Sequence, residues 1–239
     1  MNKIMIIARR ELNSFFESLM AYILLIALLG FSGFFTWIYF ADIFFVNQAS
    51  LQSFFGIAYW TLFFVIPALT MRSLAEEFRL GTIELLLTKP LNEWHIVAGK
   101  FLAILFLVLI ALAFTLPYYL TVANLGPIDH GSVIVGYLGL IFMSATYISI
   151  GLFASSISNN QIVAFLLSLF IGIFFHWLFA MVGGSLQGIP GAVISYLSVQ
   201  NHYDAMSRGV IDSKDLVYFI SVSFVALYAA FLMLQRKKA

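Results

Sequence analysis

Phe101-Leu-Ala-Ile-Leu-Phe-Leu-Val-Leu-Ile-Ala-Leu-Ala-Phe-Thr-Leu-Pro-Tyr-Tyr-Leu-Thr-Val122 contains no charged side chain. A helix rises about 1.5 Å per residue, so this run reaches across the ~30 Å hydrocarbon core of a bilayer. It is continuously apolar rather than alternating, which excludes a barrel strand. Five more runs read the same way, at 19–41, 54–71, 133–154, 161–182 and 216–234. None has a Lys or Arg at its middle, where one costs about 2.5–3.5 kcal/mol on insertion scales. The six runs predict an all-α polytopic membrane protein.

Composition agrees. Of 239 residues, 62% are hydrophobic and 10% charged, and the mean hydropathy is +1.01. Soluble domains average about 45–50% apolar and about 25% charged. So little charge does not cover a water-facing surface, and this argues against a soluble enzyme, a disordered scaffold and a nucleic-acid binder. The chain has no cysteine, hence no disulfide, thiolate metal site or thiol nucleophile.

The basic residues are asymmetric. Lys3, Arg9 and Arg10 precede the first run, Arg72, Arg79, Lys89 and Lys100 lie between the second and third, and Arg236, Lys237 and Lys238 follow the last. Only Arg208 and Lys214 fall on the other side. The positive-inside rule then puts both termini in the cytoplasm, in keeping with an even number of spans.

The chain reads as one permease-like unit, 1–239, with three appendages. Residues 1–18 have apolar positions at helical spacing (Ile4, Ile7, Ala8, Leu12, Phe15, Phe16) opposite Arg9, Arg10 and Asn13. This predicts a helix in the membrane interface, its basic face toward lipid phosphates. It serves as an anchor or also touches a cytoplasmic partner.

Residues 72–100 form a cytoplasmic loop more organised than a plain connection. Gly81 stops one helix, Thr82 caps a short apolar one, Pro90 ends that, and Asn92 or Leu91 opens a third, short helix before the next span. Leu85-Leu86-Leu87 needs an apolar surface to face: the bundle end, the bilayer or a docked protein.

Residues 183–215 form an outer cap. Gly183, Gly184, Gly188, Pro190 and Gly191 break helix repeatedly, and the apolar run 192–199 is too short to span, which suggests a re-entrant hairpin. His202, Asp204, Arg208 and Asp212 follow. Asp204 and Arg208 are spaced for a helix ion pair, Asp212-Ser213 for a helix cap, and Asp215 for its first turn. The cluster is either a cap closed by local ion pairs or a ligand site.

His176 is the one His, acidic or basic residue well inside a span, and such a residue is either functional or a neutral His bonded to a neighbouring helix. Pro67 and Pro117 are expected to bend spans two and three, so Pro67, Pro117 and His176 are candidate gate or hinge positions. Span four is rich in Gly136, Gly139, Ser144, Thr146, Ser149 and Gly151, as close helix packing requires.

The sequence carries no nucleotide-binding G-x-x-x-x-G-K-[ST] motif. All eleven acidic residues lie at or outside span ends, so the spans hold no acidic relay for ion coupling. Energy for any movement must therefore come from a protein docked on the cytoplasmic face.

The loop reading Glu76-Glu77-Phe-Arg-Leu-Gly-Thr-Ile-Glu-Leu-Leu-Leu-Thr-Lys-Pro-Leu, followed by Glu93 and Gly99-Lys100, resembles the segment that marks ABC-2-type transporter permeases. The resemblance extends over the whole chain. It implies that Glu76, Glu77, Gly81, Thr82, Glu84, Leu87 and Pro90 form a coupling helix on which a separate ATPase docks. That ATPase binds ATP and Mg, this chain binding no cofactor directly.

Four blocks resemble the gliding-motility branch more narrowly: Pro67-Ala-Leu-Thr-Met-Arg-Ser, Leu85-Leu-Leu-Thr-Lys-Pro-Leu, Asn160-Gln-Ile-Val-Ala-Phe and His202-Tyr-Asp-Ala-Met-Ser-Arg-Gly-Val-Ile-Asp-Ser. This branch implies a bacterial inner membrane, a GldA-like ATPase, a GldG-like companion membrane subunit, and a homo- or heterodimer of permeases in lipid. Permeases of copper-site maturation are similar in architecture. A subunit that transmits force to an extracytoplasmic partner, rather than moving a solute, fits the same sequence.

Overall fold

The computed structural model describes residues 3–39, 49–81 and 92–238. Those residues form helices and connections, with no strand among them. The helices are α1 (Lys3–Glu17), α2 (Met20–Trp37), α3 (Gln52–Thr70), α4 (Ala75–Leu80), α5 (Glu93–Ala113), α6 (Leu116–Leu125), α7 (His130–Ile157), α8 (Gln161–Ile173), α9 (Phe179–Ser185), α10 (Ile189–Tyr196), α11 (Val199–Ser207) and α12 (Ser213–Lys238). A π-helical turn, Phe174–Leu178, joins α8 to α9.

Among the described residues, six helical segments are long and apolar enough to cross a membrane, at the six places the sequence predicts. They are α2, α3, α5 with α6, α7, α8 through α9, and α12. Helix α1 and the end of α12 lie at one end of the bundle, its basic end. There α1 packs on the start of α5, and Lys237 of α12 donates to Asn159 Oδ1 (2.9 Å).

Local chemistry explains where the helices begin. The Asp129 carboxylate accepts from the amides of Gly131 (2.9 Å) and Ser132 (3.3 Å) at the head of α7. Asn160 accepts from Ile162 N at the head of α8 (2.9 Å). Asn92 opens α5 with a capping box closed by His95, whose Nδ1 accepts the Asn92 amide (3.0 Å). These caps satisfy amides that a helix start leaves unpaired. The predicted third short helix of the loop is thus no separate element: it is the first turns of α5, which runs unbroken into span three.

Span four is the hub. Its small residues admit neighbours so closely that an added Cβ would collide. A Cβ at Gly136 would lie 2.5 Å from Phe55 of α3, one at Gly139 3.1 Å from Met206 of α11, and one at Gly151 2.0 Å from Thr70 Oγ1 of α3. Thr146 Oγ1 also lies 3.2 Å from Ser223 Oγ of α12. In lipid the hydrophobic effect does not draw helices together, so close packing and interhelical hydrogen bonds supply the association.

The buried apolar core, including Leu24, Leu62, Ile66, Ile104, Leu107 and Tyr147, is built around this helix.

Candidate functional site

The basic end carries an organised charged junction. After α3 stops at Thr70, the turn 71–74 is stitched to span four by one side chain. Ser155 Oγ accepts from the amides of Leu74 and Ala75 (3.0 Å each) and donates to the Met71 carbonyl (3.1 Å). This fixes the start of α4. Gly81 ends α4 in a left-handed conformation (φ +68°), which a glycine adopts at little cost. The chain leaves from there into residues 82–91. Thr82, Glu84, Leu87 and Pro90, with the expected short apolar helix, lie outside the described residues.

Glu76 and Glu77 face different partners. Glu76 receives Arg72 Nε at 2.8 Å and lies 3.8 Å from Arg79, a half-buried local cluster that ties α4 to the turn before it. Glu77 Oε1 receives Lys100 Nζ at 2.8 Å, and the same ammonium lies 3.3 Å from Glu11 Oε2 of α1. The Lys100 side chain is 2% exposed. Three elements distant in sequence thus meet at one buried ammonium: α1, α4 and α5.

Burial pushes the Glu11 carboxyl up, but the nearby Lys100 and Arg10 cations outweigh it and hold the group below its ordinary value. The approach of α1 is permitted by Gly99, where a Cβ would sit 2.6 Å from Ile7. A hollow of about 490 Å³ opens beside the junction, lined by Arg10, Glu11, Arg72, Glu76, Glu77 and Lys100 among others. On its other flank Lys237 Nζ sits 3.5 Å above the Phe78 ring, a cation–π contact joining the end of α12 to α4.

Sequence reasoning found Glu76, Glu77 and Gly81 but not the ions that organise them. Lys100 entered it as one of the basic residues between spans two and three and as a residue of the family pattern. Glu11 did not enter it at all, and Lys237 entered only among the basic residues that follow the last span. The signal available was a lysine following a glycine about two helical turns inside a capped helix start, a position where a cation needs a carboxylate. The N-terminal helix also differs from a free surface helix. Ile7 and Ala8 are buried against protein, while Arg9 and Arg10 are exposed.

At the opposite end, α9 and α10 form a tight helical hairpin. A Cβ at Gly183 would lie 2.5 Å from Ser195 N, and one at Gly191 2.1 Å from the Leu186 carbonyl oxygen. Helix α11 follows, and the cap residues separate. His202 is buried. Its Nδ1 lies 2.6 Å from Asp215 Oδ1, its Nε2 2.8 Å from the Tyr196 carbonyl oxygen, and its ring stacks on Tyr218 at 4.0 Å. It is an internal fastener between α11 and α12, not a surface contact. Its partner Asp215 was expected only to favour the dipole of α12.

Asp204 and Arg208 do not form the expected carboxylate pair. Arg208 Nε donates to the backbone carbonyl of Asp204 (3.1 Å), capping the end of α11 as cations at helix C-termini do. Partial desolvation against its neighbours raises the Asp204 carboxyl above its ordinary value, against the pull of Arg208, although the residue stays exposed on the whole. Asp212 caps α12 as expected, its Oδ1 accepting from Lys214 N (3.1 Å), with Lys214 Nζ at 2.9 Å from Oδ2.

The hinge candidates sit differently from one another. Span three breaks at Phe114–Thr115, and Pro117 occupies the first turn of the renewed helix α6, where its missing N–H costs nothing. Helix α3 runs through Pro67 and ends three residues later. His176 lies in the π turn of span five, its Nδ1 2.7 Å from Tyr147 Oη. Its ring is stacked between Phe63 (4.1 Å) and Tyr59 (4.2 Å). The neighbour-bonded histidine among the sequence readings describes this placement.

Six spans around a small-residue hub, with an organised junction between spans two and three, define a polytopic membrane protein. The family model described as ABC-2 family transporter protein matches residues 5–238, and the chain belongs to that family. No curated protein matches it. Members are membrane permease subunits of ABC transporters, and the family implies an ATPase partner.

Proposed function

We propose that this chain is the permease of a gliding-motility-type ABC system in a bacterial inner membrane, with both termini cytoplasmic. A GldA-like ATPase docks on residues 72–100, holding ATP and Mg itself. A GldG-like membrane subunit and a second permease, identical or related, complete the assembly. Glu76, Glu77 and Gly81 lead into the docking element, and Thr82, Glu84, Leu87 and Pro90 belong to it.

The observation that carries this reading is the buried Lys100, shared by Glu77 of α4 and Glu11 of α1. Segment 82–91 leaves directly from α4. Helix α4 is tied to α5 and α1 through Lys100, and its first turn is tied to α7 through Ser155. A displacement imposed at 82–91 by nucleotide binding in the partner is therefore delivered to spans three and four and to the N-terminal helix together. A merely connecting loop needs no such fixing.

The test is co-purification in mild detergent from native membranes. The double substitution Glu84→Lys with Leu87→Asp is expected to lose the Walker-motif ATPase while the chain still inserts. Normal recovery of the ATPase with that variant would refute the docking assignment.

A second reading is favoured by the placement of charge. Among the described residues, acidic and basic side chains gather at the two ends of the bundle, with only His176 between. A subunit that flexes to pull on an extracytoplasmic partner has no need of a polar path. Its discriminator is charge reversal at the exposed cap residues Asp204, Arg208 and Asp212, which releases such a partner and leaves a solute pathway unaffected.

A further inference from the structure

A hollow of about 430 Å³ lies between the end of α2, the start of α3, and α11. Its wall is aromatic: Phe35, Tyr39, Tyr59, Trp60 and Tyr203. Two of these rings are fixed in place. Tyr59 and Tyr203 stack at 4.7 Å with planes 16° apart. Tyr59 Oη donates to the His176 carbonyl (3.1 Å) and Tyr203 Oη to the Phe55 carbonyl (3.0 Å).

One charged side chain, Asp204, joins this lining, with two glutamines and two serines. The Asp204 carboxylate makes no hydrogen bond or ion pair among the described residues, because Arg208 turns to the backbone instead. No lysine or arginine lines the hollow among the described residues. Gly56 stands in the wall, and a Cβ there would meet nothing within 4 Å.

A second hollow, of about 240 Å³, continues deeper between α2 and α3. It shares Phe35, Ile57 and Trp60 with the first and adds Phe31, Phe64 and Val65, a lining almost wholly apolar.

The chemistry of the pair is asymmetric. The exposed rings of Tyr39 and Trp60 stand in the same lining as the Asp204 carboxylate, and both kinds of group attract positive charge, through the ring quadrupoles and through Coulomb attraction. The adjoining slot offers only dispersion and burial of hydrocarbon. We propose that the two hollows together bind an amphiphilic organic cation. Its ammonium head lies beside Asp204 against the rings, and its hydrocarbon part lies in the slot between α2 and α3. An amine-bearing lipid and a free amphiphilic amine share this chemistry. The site stands apart from the ATPase-docking reading and needs no ATPase to be tested.

The experiment is isothermal titration of the purified full chain in dodecyl maltoside with hexyltrimethylammonium, and with hexyl sulfate as the same tail under opposite charge. Saturable binding of the cation alone is expected. It weakens about tenfold in Asp204→Asn and is lost in Gly56→Leu, whose side chain grows into the open space. Both variants are expected to melt at the wild-type temperature, since Asp204 is exposed and Gly56 has room. Absence of saturable cation binding, equal affinity in wild type and both variants, or equal binding of hexyl sulfate overturns the proposal. Repeating the titration in digalactosyl diacylglycerol nanodiscs, with and without phosphatidylethanolamine, separates the sources. Competition by that lipid assigns its head group as occupant, and unchanged affinity assigns a free amine, either result supporting the cation site.

Discussion

Replacing Lys100 by methionine removes the ammonium on which α1, α4 and α5 converge and keeps most of the side-chain volume. Two carboxylates then remain, Glu11 and Glu77, with side chains only 18% and 16% exposed. They had been 3.3 Å and 2.8 Å from the lost nitrogen, so they lose the cation they share, and Glu11 keeps only Arg10, at 2.8 Å. Removing one partner of a buried ion pair costs about 3–5 kcal/mol. Because both carboxylates keep some contact with water, the expected loss lies at the lower end, about 3 kcal/mol.

The triple variant Lys100→Met, Glu11→Gln, Glu77→Gln removes all three charges and is expected to recover to within about 1 kcal/mol of wild type. The assay is SDS-titrated unfolding in mixed micelles, followed by tryptophan fluorescence, with Trp94 in the first turn of α5 as a local reporter. The sign with pH is also fixed. The folded Glu11 carboxyl sits below its ordinary value. Its stabilisation is therefore complete above the ordinary carboxylate range, about pH 4.3, and is lost as pH falls through the folded value. In Lys100→Met the deficit shrinks on acidification, because the stranded carboxylates take up protons. A single-variant cost under about 1 kcal/mol, or a triple variant no better than the single, would refute the argument that this ammonium holds the three helices together.

Three further outcomes follow from the packing. Gly151→Ala places a methyl 2.0 Å from Thr70 Oγ1 and is expected to cost about 1–3 kcal/mol in the same unfolding assay, with partial rescue by Thr70→Ala. His176→Phe keeps the ring stack but strands the buried Tyr147 hydroxyl, for a loss of about 1–3 kcal/mol. Tyr147→Phe in the same chain should return most of it, and failure to do so would place the effect elsewhere. His202→Ala leaves Asp215 buried without its partner, so hydrogen exchange of α11 is expected to accelerate by about two orders of magnitude or more, read by mass spectrometry.

The spans were legible because an uninterrupted apolar run has few other uses, and the hub was legible because glycine and serine gathered in one span. The caps at Asn92 and Asp212 were also visible, since each precedes an apolar run. What the sequence hid were meetings between distant residues. Lys100 finds Glu11 and Glu77 only after α1 folds back on α5. The 3/4 pattern of α1 shows an apolar stripe without saying whether lipid or protein covers it. Spacing invited Asp204 and Arg208 to pair, yet the end of α11 offered the guanidinium a backbone carbonyl at closer reach. His202 reads as polar and hence outward, and its burial depends on Asp215, thirteen positions along.

The π turn at Phe174–Leu178 has a consequence for span five. An α-helix advances about 100° per residue, and a π turn takes up one residue more than an α turn would. The outer part of the span, Phe179–Ser185, is thereby set at a different angular phase from Gln161–Ile173. Deleting any one of those five residues would leave an equally greasy helix of nearly equal length, and hydropathy, which counts residues without regard to angle, would register no change. The hairpin would register none either, because the turn would close as an ordinary α turn with Gly183 still facing Ser195; the same deletion within Gln161–Ile173 would swing Gly183 by about 100°. In this span, length is a matter of rotation as much as reach.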